Sequence, residues 1–239
     1  MVLGIHQAGD VLPMAHLSCV GKSKDELHRL LSRLEAAGIR NVIALRGDAP
    51  AGTDRFVPVP GGFDHATGLI QFTRQNFNFG IAAACYPEGH VESPDLTSDM
   101  DRTKQKLDAG ADFLITQLFY DNRYFFDFLD RARKAGIAAP ILAGVLPILN
   151  VAQVRRFTAV CGVRIPPELD RRLDLLGGDD DAVRDLGIEY ATQQVQELWQ
   201  SGVDGVHFYA LNRSQSISKI LRNLENLDPS HAPKAEGVA

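Results

Sequence analysis

Three polar residues that follow an apolar run are the strongest indication of chemistry in this sequence. The run Asn41–Leu45 is typical of a buried strand and leads directly into Arg46, Gly47 and Asp48, with Pro50 shortly after. A cation and a carboxylate on a glycine turn at the carboxyl end of a buried parallel strand are typical of active sites in α/β proteins. The same residues could instead form a plain turn or an adhesion tripeptide.

Polar side chains also occur at the ends of the other predicted strands, which all face the active-site end of such a fold. They are His16, Tyr86, Glu88, His90, Thr116, Gln117, Tyr120, Asp121, Asn150, His207, Tyr209, Asn212 and Arg213. Gln153 and the aromatic Phe157 follow one and two turns into the helix after the fifth strand. His16 and Phe157 could instead belong to the core. Gln117 stands in an apolar run and needs hydrogen-bond partners, and its adjacent donor and acceptor suit the edge of a heterocycle.

A third group of polar residues lies on one predicted helix. Asp99, Arg102 and Lys106 follow each other at i, i+3 and i+7, which places them on one helix face. This face could hold a phosphate or a ribose, or it could be a solvated face with salt bridges.

Short apolar runs alternate with amphipathic segments along the chain. The predicted strands are Met14–Val20, Asn41–Gly47, Phe79–Cys85, Phe113–Phe119, Pro140–Pro147 and Gly205–Leu211. The predicted helices are Ser23–Ala37, Phe63–Asn76, Pro94–Ala109, Asn122–Ala135, two or three helices between Asn150 and Ser201, and Ser214–Leu224. This alternation predicts βα units.

Four of the helical segments end in a glycine that is followed by an apolar residue: Gly38, Gly110, Gly136 and Gly202. This pattern indicates left-handed caps that lead into strands. No Gly-x-Gly-x-x-Gly loop follows a strand, which favours a TIM (β/α)8-type barrel over a doubly wound sheet. Only about six of the eight βα units are found, in a single domain over residues 1–227. Residues 228–239 are expected to be a disordered tail.

Composition excludes several classes of function. The chain has 239 residues, of which 45% are hydrophobic and 23% charged, with a net charge of −5. It therefore lacks the basic character of nucleic-acid-binding proteins, and no apolar run is long enough to cross a membrane. Three widely spaced cysteines, Cys19, Cys85 and Cys161, indicate reduced thiols in a cytoplasmic protein. The histidine spacing predicts no metal site.

Five motifs occur in one order over most of the chain, from about Leu12 to Leu224. They are Ala44-Leu-Arg-Gly-Asp48, Tyr86-Pro-Glu-Gly-His90, the segment from Asp108 to Asp121, Gly144-Val-Leu-Pro147 and the segment from His207 to Arg213. In combination they resemble the methylenetetrahydrofolate reductase family.

The resemblance implies a flavin enzyme that uses NADH or NADPH to reduce 5,10-methylenetetrahydrofolate to 5-methyltetrahydrofolate. It implies bound FAD, a soluble cytoplasmic homo-oligomer, and a role in methionine synthesis and one-carbon metabolism. The positions that match FAD contacts are His16, Arg46, Gly47, Asp48, Ala66, Tyr86, His90, Asp99, Arg102 and Lys106. The positions that match substrate contacts are Asp48, Gln117, Gln153, Phe157 and Arg213. Asp48 is the expected catalytic residue.

The sequence departs from the family pattern in three places. His65 stands where the family usually has Tyr, and Arg102 and Gln105 stand where one family pattern has Asn and Arg. The segment that carries the family's general-acid Glu is absent, so we expect the first two βα units to be missing. The alternatives are a catalytically impaired flavin-binding remnant, a protein that needs a partner to complete its sheet, another barrel flavoprotein, or a pterin-binding transferase.

Overall fold

The computed structural model describes residues 2–9, 11–47 and 56–227, in which strands and helices alternate. The strands are β1 (Met14–Ser18), β2 (Asn41–Leu45), β3 (Gly80–Cys85), β4 (Phe113–Thr116), β5 (Ile141–Val145) and β6 (Val206–Phe208). The helices are α1 (Val2–Ala8), α2 (Lys24–Ala36), α3 (Ala66–Asn76), α4 (Leu96–Asp108), α5 (Asn122–Lys134), α6 (Val151–Cys161), α7 (Pro167–Leu176), α8 (Asp180–Gln200) and α9 (Ser214–Leu227). The predicted tail 228–239 lies outside the described residues.

The strands follow one another in the sheet in chain order, from β1 to β6. The pairs β1–β2, β2–β3 and β5–β6 are parallel, with His16 opposite Ile43 and Gly144 opposite His207. A helix separates each strand from the next, which is the arrangement of βα units. The expected α/β fold of the (β/α)-barrel type, with six strands, is confirmed.

The chain divides into two compact units. Unit 1 comprises residues 1–85, 94–115 and 132–140, and unit 2 comprises residues 86–93, 116–131 and 141–239.

In unit 1, helix α2 is specified by its N-terminal cap and by one apolar face. Ser23 and Glu26 form a capping box at its start, which satisfies two backbone N–H groups that the helix cannot pair itself. Leu27, Leu31 and Leu34 are buried at a spacing of three to four residues, so one apolar face packs inward.

The four glycines that end predicted helices each precede the amino end of a strand. Gly38, Gly110, Gly136 and Gly202 all have positive φ, as predicted for left-handed caps. The aspartate that follows two of these glycines has a further role. In unit 1, Asp112 Oδ2 accepts the N–H of Ile81 at 2.7 Å, and in unit 2, Asp204 Oδ2 accepts the N–H of Ile141 at 2.9 Å.

In unit 2, a hydrophobic cluster joins β-strand ends to helices α6, α7 and α8. Its members are Leu118, Tyr120, Leu146, Ile148, Val154, Val163, Leu169, Leu173, Val183 and Leu186. Three helices, α6 to α8, occupy the segment where two or three were predicted.

One helix was not predicted, and several boundaries differ from the prediction, of which the ends of β4 and β6 concern candidate site residues. Helix α1 was not predicted, because none of its residues is buried and no apolar face marks it. Strand β4 ends at Thr116, so Gln117 lies beyond the strand in which it was placed. Strand β6 ends at Phe208, and Leu211 and Asn212 have positive φ, which is incompatible with a strand reaching Leu211.

Candidate cofactor and substrate residues

In unit 1, Gly47 follows β2 in a conformation that requires glycine. Its φ is +85°, and a Cβ at this position would lie 2.5 Å from Ser18 Oγ and 2.6 Å from Val20 Cγ2. Ser18 Oγ also donates to the carbonyl oxygen of Arg46 at 3.3 Å, so the end of β1 holds the turn after β2. The turn is therefore a fixed structure that brings its backbone close to β1.

The Arg46 side chain is half-buried beside this turn. Its guanidinium lies 5.6 Å from the centre of the Phe56 ring, and its Nε donates to the carbonyl oxygen of Gly47 at 3.4 Å. These contacts position a permanent cation at the carboxyl end of β2. Asp48, the expected catalytic residue, lies outside the described residues.

Helix α4 carries the other charged residues of unit 1. Asp99 is only 4% exposed, and Lys106 Nζ donates to the carbonyl oxygen of Ala84 at 2.7 Å. The alternative of a solvated face is therefore wrong for these two residues, whereas Arg102 is exposed.

Lys106 lies in an electrostatic cluster that the sequence motifs did not reveal. Burial lowers the pKa of its ammonium, and the neighbouring Cys85 and Asp99 act in the opposite direction. The charge of Arg46 also lowers the pKa of Lys106, so the two cations lie in one region of unit 1. Burial in turn raises the pKa of the Cys85 thiol, so this thiol is neutral at physiological pH.

Two further expected FAD contacts lie in unit 1. His16 is exposed on β1, whereas its neighbours Ala15 and Leu17 are buried, so the core interpretation of His16 is wrong. Ala66 is the first residue of α3 and is buried, and His65 precedes it as the N-cap without a side-chain capping bond.

In unit 2, the loop after β3 brings two predicted cofactor residues together. The rings of Tyr86 and His90 meet edge to face, with their centres 4.7 Å apart. His90 Nδ1 accepts the N–H of Glu92 at 3.1 Å, which leaves Nε2 as the position for the proton of a neutral ring. Glu88, between them, is buried and accepts the backbone N–H of Arg164.

The predicted substrate residues of unit 2 lie on two elements. Gln117 is half-buried directly after β4, and its Oε1 accepts the N–H of Leu118 at 3.0 Å. Gln153 lies in the first turn of α6, where its N–H donates to the N-cap residue Asn150. Phe157 is half-buried and packs against the hydrophobic cluster of unit 2, which supports its alternative role as a core residue.

The segment after β6 combines two aromatic rings and a cation. The rings of His207 and Tyr209 meet edge to face at 4.8 Å, and Tyr209 Oη donates to the carbonyl oxygen of Thr116 at 2.8 Å. Arg213 is exposed, and its N–H closes a turn on Ala210 at 2.7 Å. The turn contains Asn212 at positive φ.

The described residues offer neither a metal site nor a membrane-spanning helix. Among the described residues, no group of three or more His, Cys, Asp or Glu side chains is arranged to bind a metal ion. No helix in residues 2–9, 11–47 and 56–227 combines the length and the apolar character that crossing a membrane requires.

Comparison with solved structures supports the fold. An uncharacterized protein from Clostridium thermocellum, described as binding two copies of 5-methyl-5,6,7,8-tetrahydrofolic acid, superposes with a TM-score of 0.58 at 14% identity. The match covers 95% of this chain and 78% of that one. At this identity the likeness establishes the fold alone.

Comparison with known sequences identifies the family. Methylenetetrahydrofolate reductase (NADH) 1 of Arabidopsis thaliana is 39% identical over 228 residues, covering 91% of this chain and 38% of the plant protein. The 5,10-methylenetetrahydrofolate reductase of Escherichia coli is 34% identical over 224 residues, covering 94% of this chain and 74% of the bacterial protein. This chain thus spans about 38% of the plant relative's length. The model of the methylenetetrahydrofolate reductase family matches residues 1–225, and the chain therefore belongs to that family.

Proposed function

We propose that this chain carries out the flavin-dependent reduction of 5,10-methylenetetrahydrofolate to 5-methyltetrahydrofolate with NADH or NADPH. The observation that carries the proposal is the charged cluster of unit 1, in which Asp99 is buried on α4, the half-buried Lys106 bonds to Ala84 O, and the charge of Arg46 lowers the pKa of Lys106. Buried charges are costly unless they serve a partner or a ligand. The family membership supplies the reaction.

The residues of unit 1 fit FAD in their chemistry. Arg46 and Lys106 are cations that can bind the diphosphate, and Arg102 adds a further charge at the surface of α4. Asp99 is a buried carboxylate, which can accept hydrogen bonds from sugar or ribityl hydroxyl groups. Gly47 allows a close approach of backbone at the turn. His16 and Ala66 are proposed to complete this set.

When bound, the flavin supplies the hydride chemistry that protein side chains lack. In unit 2, the edge-to-face pair of Tyr86 and His90 offers an aromatic surface and a ring N–H for cofactor binding. Because the Nδ1 of His90 accepts a backbone hydrogen bond, the proton of its neutral ring lies on Nε2.

The proposed substrate residues are a carboxamide pair, an aromatic ring and a cation. Gln117 and Gln153 can each recognise a pterin edge, which presents alternating donors and acceptors. Phe157 provides an apolar surface for stacking. The exposed Arg213 can pair with the carboxylates of the folate glutamate. Asp48 is proposed as the catalytic carboxylate, which would stabilise the cationic iminium form of the substrate.

The same proposal includes a cytoplasmic location, a homo-oligomeric state and the choice between two nicotinamides. None of the three cysteines is in a disulfide, which fits a reducing cytoplasm, and a homo-oligomer is proposed from the family resemblance. Relatives named for NADH and for NADPH both match this chain, so both nicotinamides are tested.

Two anaerobic half-reactions test the function. Purified protein reconstituted with FAD is first reduced with NADH or NADPH, and the bleaching of the flavin absorbance is followed. Reduced protein is then mixed with 5,10-methylenetetrahydrofolate, and reoxidation of the flavin and formation of 5-methyltetrahydrofolate are measured.

We expect both half-reactions, with the nicotinamide and the folate each reacting in the absence of the other. Reduction without reoxidation by the folate would contradict the proposal and favour a flavin-binding protein without reductase activity. Failure to bind flavin would overturn the proposal altogether.

A further inference from the structure

Unit 2 contains a cavity of about 290 Å³ whose lining includes none of the residues assigned above to cofactor or substrate. It is formed by the segment that follows β4 and by the middle of α8. Its lining includes Tyr120, Asp121, Asn122, Tyr190, Gln194 and Glu197. A water molecule occupies about 30 Å³, so the cavity has room for an organic molecule of several heavy atoms.

The base of the cavity is buried and its rim is open. Tyr120 is 2% exposed, and Asn122 and Gln194 are 6% and 5% exposed. Glu197 on the rim is exposed, which gives a ligand a path from solvent. The base is held rigidly, because Asn122 Nδ2 donates to Gln194 O at 3.0 Å and to Glu197 Oε2 at 2.6 Å.

Two polar atoms at this base have no hydrogen-bond partner within the part of the chain that the structure describes. They are the hydroxyl of Tyr120 and the Oδ1 of Asn122. A buried polar atom without a partner costs about 1–3 kcal/mol, so such atoms usually face a ligand or ordered water. Asn122 Oδ1 can only accept, whereas the Tyr120 hydroxyl can donate or accept. A ligand that carries N–H or O–H donors would therefore satisfy both atoms.

The charge of the lining selects the sign of the ligand. Among the lining residues Asp121 and Glu197 are carboxylates, and none is a lysine or arginine. Arg123 pairs with Asp121 at 2.6 Å, so Glu197 is the carboxylate on which the sign of the ligand depends. Burial raises the pKa of the Tyr190 hydroxyl to about 12, and the charges of Asp121 and Glu197 add to the rise. The phenol therefore stays neutral. The tyrosine rings add faces that attract cations.

We propose that this cavity binds a small organic cation with several N–H donors, of the alkylammonium or guanidinium class. Its N–H groups would donate to Asn122 Oδ1, to the Tyr120 hydroxyl and to the Glu197 carboxylate. The site is independent of the proposed reductase activity, because none of its lining residues belongs to the cofactor or substrate sets.

The test compares a cation with its neutral isostere on the purified full-length protein. Methylguanidinium and methylurea are titrated separately at constant ionic strength, and binding is measured by calorimetry and by chemical-shift changes of α8 amides. We expect saturable binding of methylguanidinium and at least tenfold weaker binding of methylurea, as the loss of charge-assisted hydrogen bonds predicts. This comparison needs no variant.

A charge-removing variant then locates the site. Glu197→Gln keeps an acceptor for Asn122 but removes the charge, and we expect about tenfold weaker methylguanidinium binding. Glu225→Gln, an exposed substitution on α9, is the control and should leave the affinity unchanged. Equal binding of the two probes, an unchanged affinity in Glu197→Gln, or ordered water alone in the cavity of crystals soaked in methylguanidinium would overturn the proposal.

Discussion

Lys106 Nζ donates a hydrogen bond to the carbonyl oxygen of Ala84 at 2.7 Å, so the ammonium of a half-buried lysine of α4 is fixed at the carboxyl end of β3. A lysine loses several rotatable bonds when it is buried, and its ammonium loses hydration. The Ala84 carbonyl compensates for part of this loss, and the nearby Asp99 contributes the opposite charge. This is the site proposed above for the anionic diphosphate of FAD.

Replacement of Lys106 by methionine should weaken FAD binding by at least tenfold. Methionine has a similar length and fills the space, but it can neither donate to Ala84 O nor attract a phosphate. The measurement is a fluorescence titration of apoprotein with FAD. Lys104→Met is the matched control, because Lys104 is exposed on the same helix, and its FAD affinity should stay within about twofold of the wild type. Equal losses in both variants would contradict a specific role for Lys106.

Much of the fold could be predicted because its elements carry local patterns. Gly38, Gly110, Gly136 and Gly202 mark helix ends, and the apolar runs between them mark strands. The ends of β4 and β6 could not be predicted, because the apolar character of the chain continues beyond both strands. Whether Gln117 belongs to β4 depends on its pairing with neighbouring strands, which a single sequence does not encode locally.

Gly47→Ala should destabilise unit 1 more than the same substitution at another left-handed glycine. At Gly47 an added Cβ meets Ser18 Oγ at 2.5 Å and Val20 Cγ2 at 2.6 Å. Gly61 has a similar φ of +71°, but no heavy atom lies within 4 Å of its added Cβ. Both variants lose about 1–2 kcal/mol from the backbone conformation, and Gly47→Ala should lose about 1–3 kcal/mol more from the clash.

Chemical denaturation of both glycine variants, monitored by circular dichroism, measures this difference. Equal free energies of unfolding would show that the Gly47 turn moves away from β1 without cost. In that case the turn would not be the rigid element that is proposed to position Arg46.

Gly187→Ala should destabilise unit 2, although alanine is the better helix former by about 1 kcal/mol. Gly187 lies inside α8, where an added Cβ would contact the Ile148 carbonyl oxygen and lie 2.8 Å from its carbonyl carbon. Backbone atoms cannot move aside as a flexible side chain can, so we expect a net loss of about 2–3 kcal/mol. The loss is measured as the change in the free energy of unfolding.

Gly4→Ala provides the comparison, because Gly4 lies in helix α1 with no heavy atom within 4 Å of an added Cβ. This variant should be neutral or slightly stabilising. A gain of stability in Gly187→Ala would contradict the close approach of α8 to the backbone at Ile148.

The candidate site could be predicted only in part, for a similar reason. The sequence placed Arg46 at a strand end and Asp99 and Lys106 on one helix face, but it could not show that Asp99 is buried or that Lys106 Nζ bonds to Ala84 O. The involvement of Cys85 depends on tertiary packing of α4 against β3, and no motif marks it. The cavity at Tyr120 depends on residues separated by about 70 positions, as the bond between Asn122 and Gln194 illustrates.

Glu88→Gln should change the stability of unit 2 in a manner that depends on pH. Burial raises the pKa of the Glu88 carboxyl, and the backbone N–H and the charge of Arg164 oppose this rise, whereas Asp121 adds to it. A raised pKa means that the folded state binds the proton more tightly than the unfolded state. The stabilisation from protonated Glu88 is therefore complete below the unfolded pKa and is lost as the pH rises through the folded pKa.

Glutamine resembles the protonated acid and can still accept the Arg164 N–H, so the stability of Glu88→Gln relative to the wild type should increase as the pH rises from about 5 to about 7. Denaturant titrations at several pH values measure this difference. A relative stability of Glu88→Gln that falls with rising pH would show that Arg164 outweighs burial at this carboxyl.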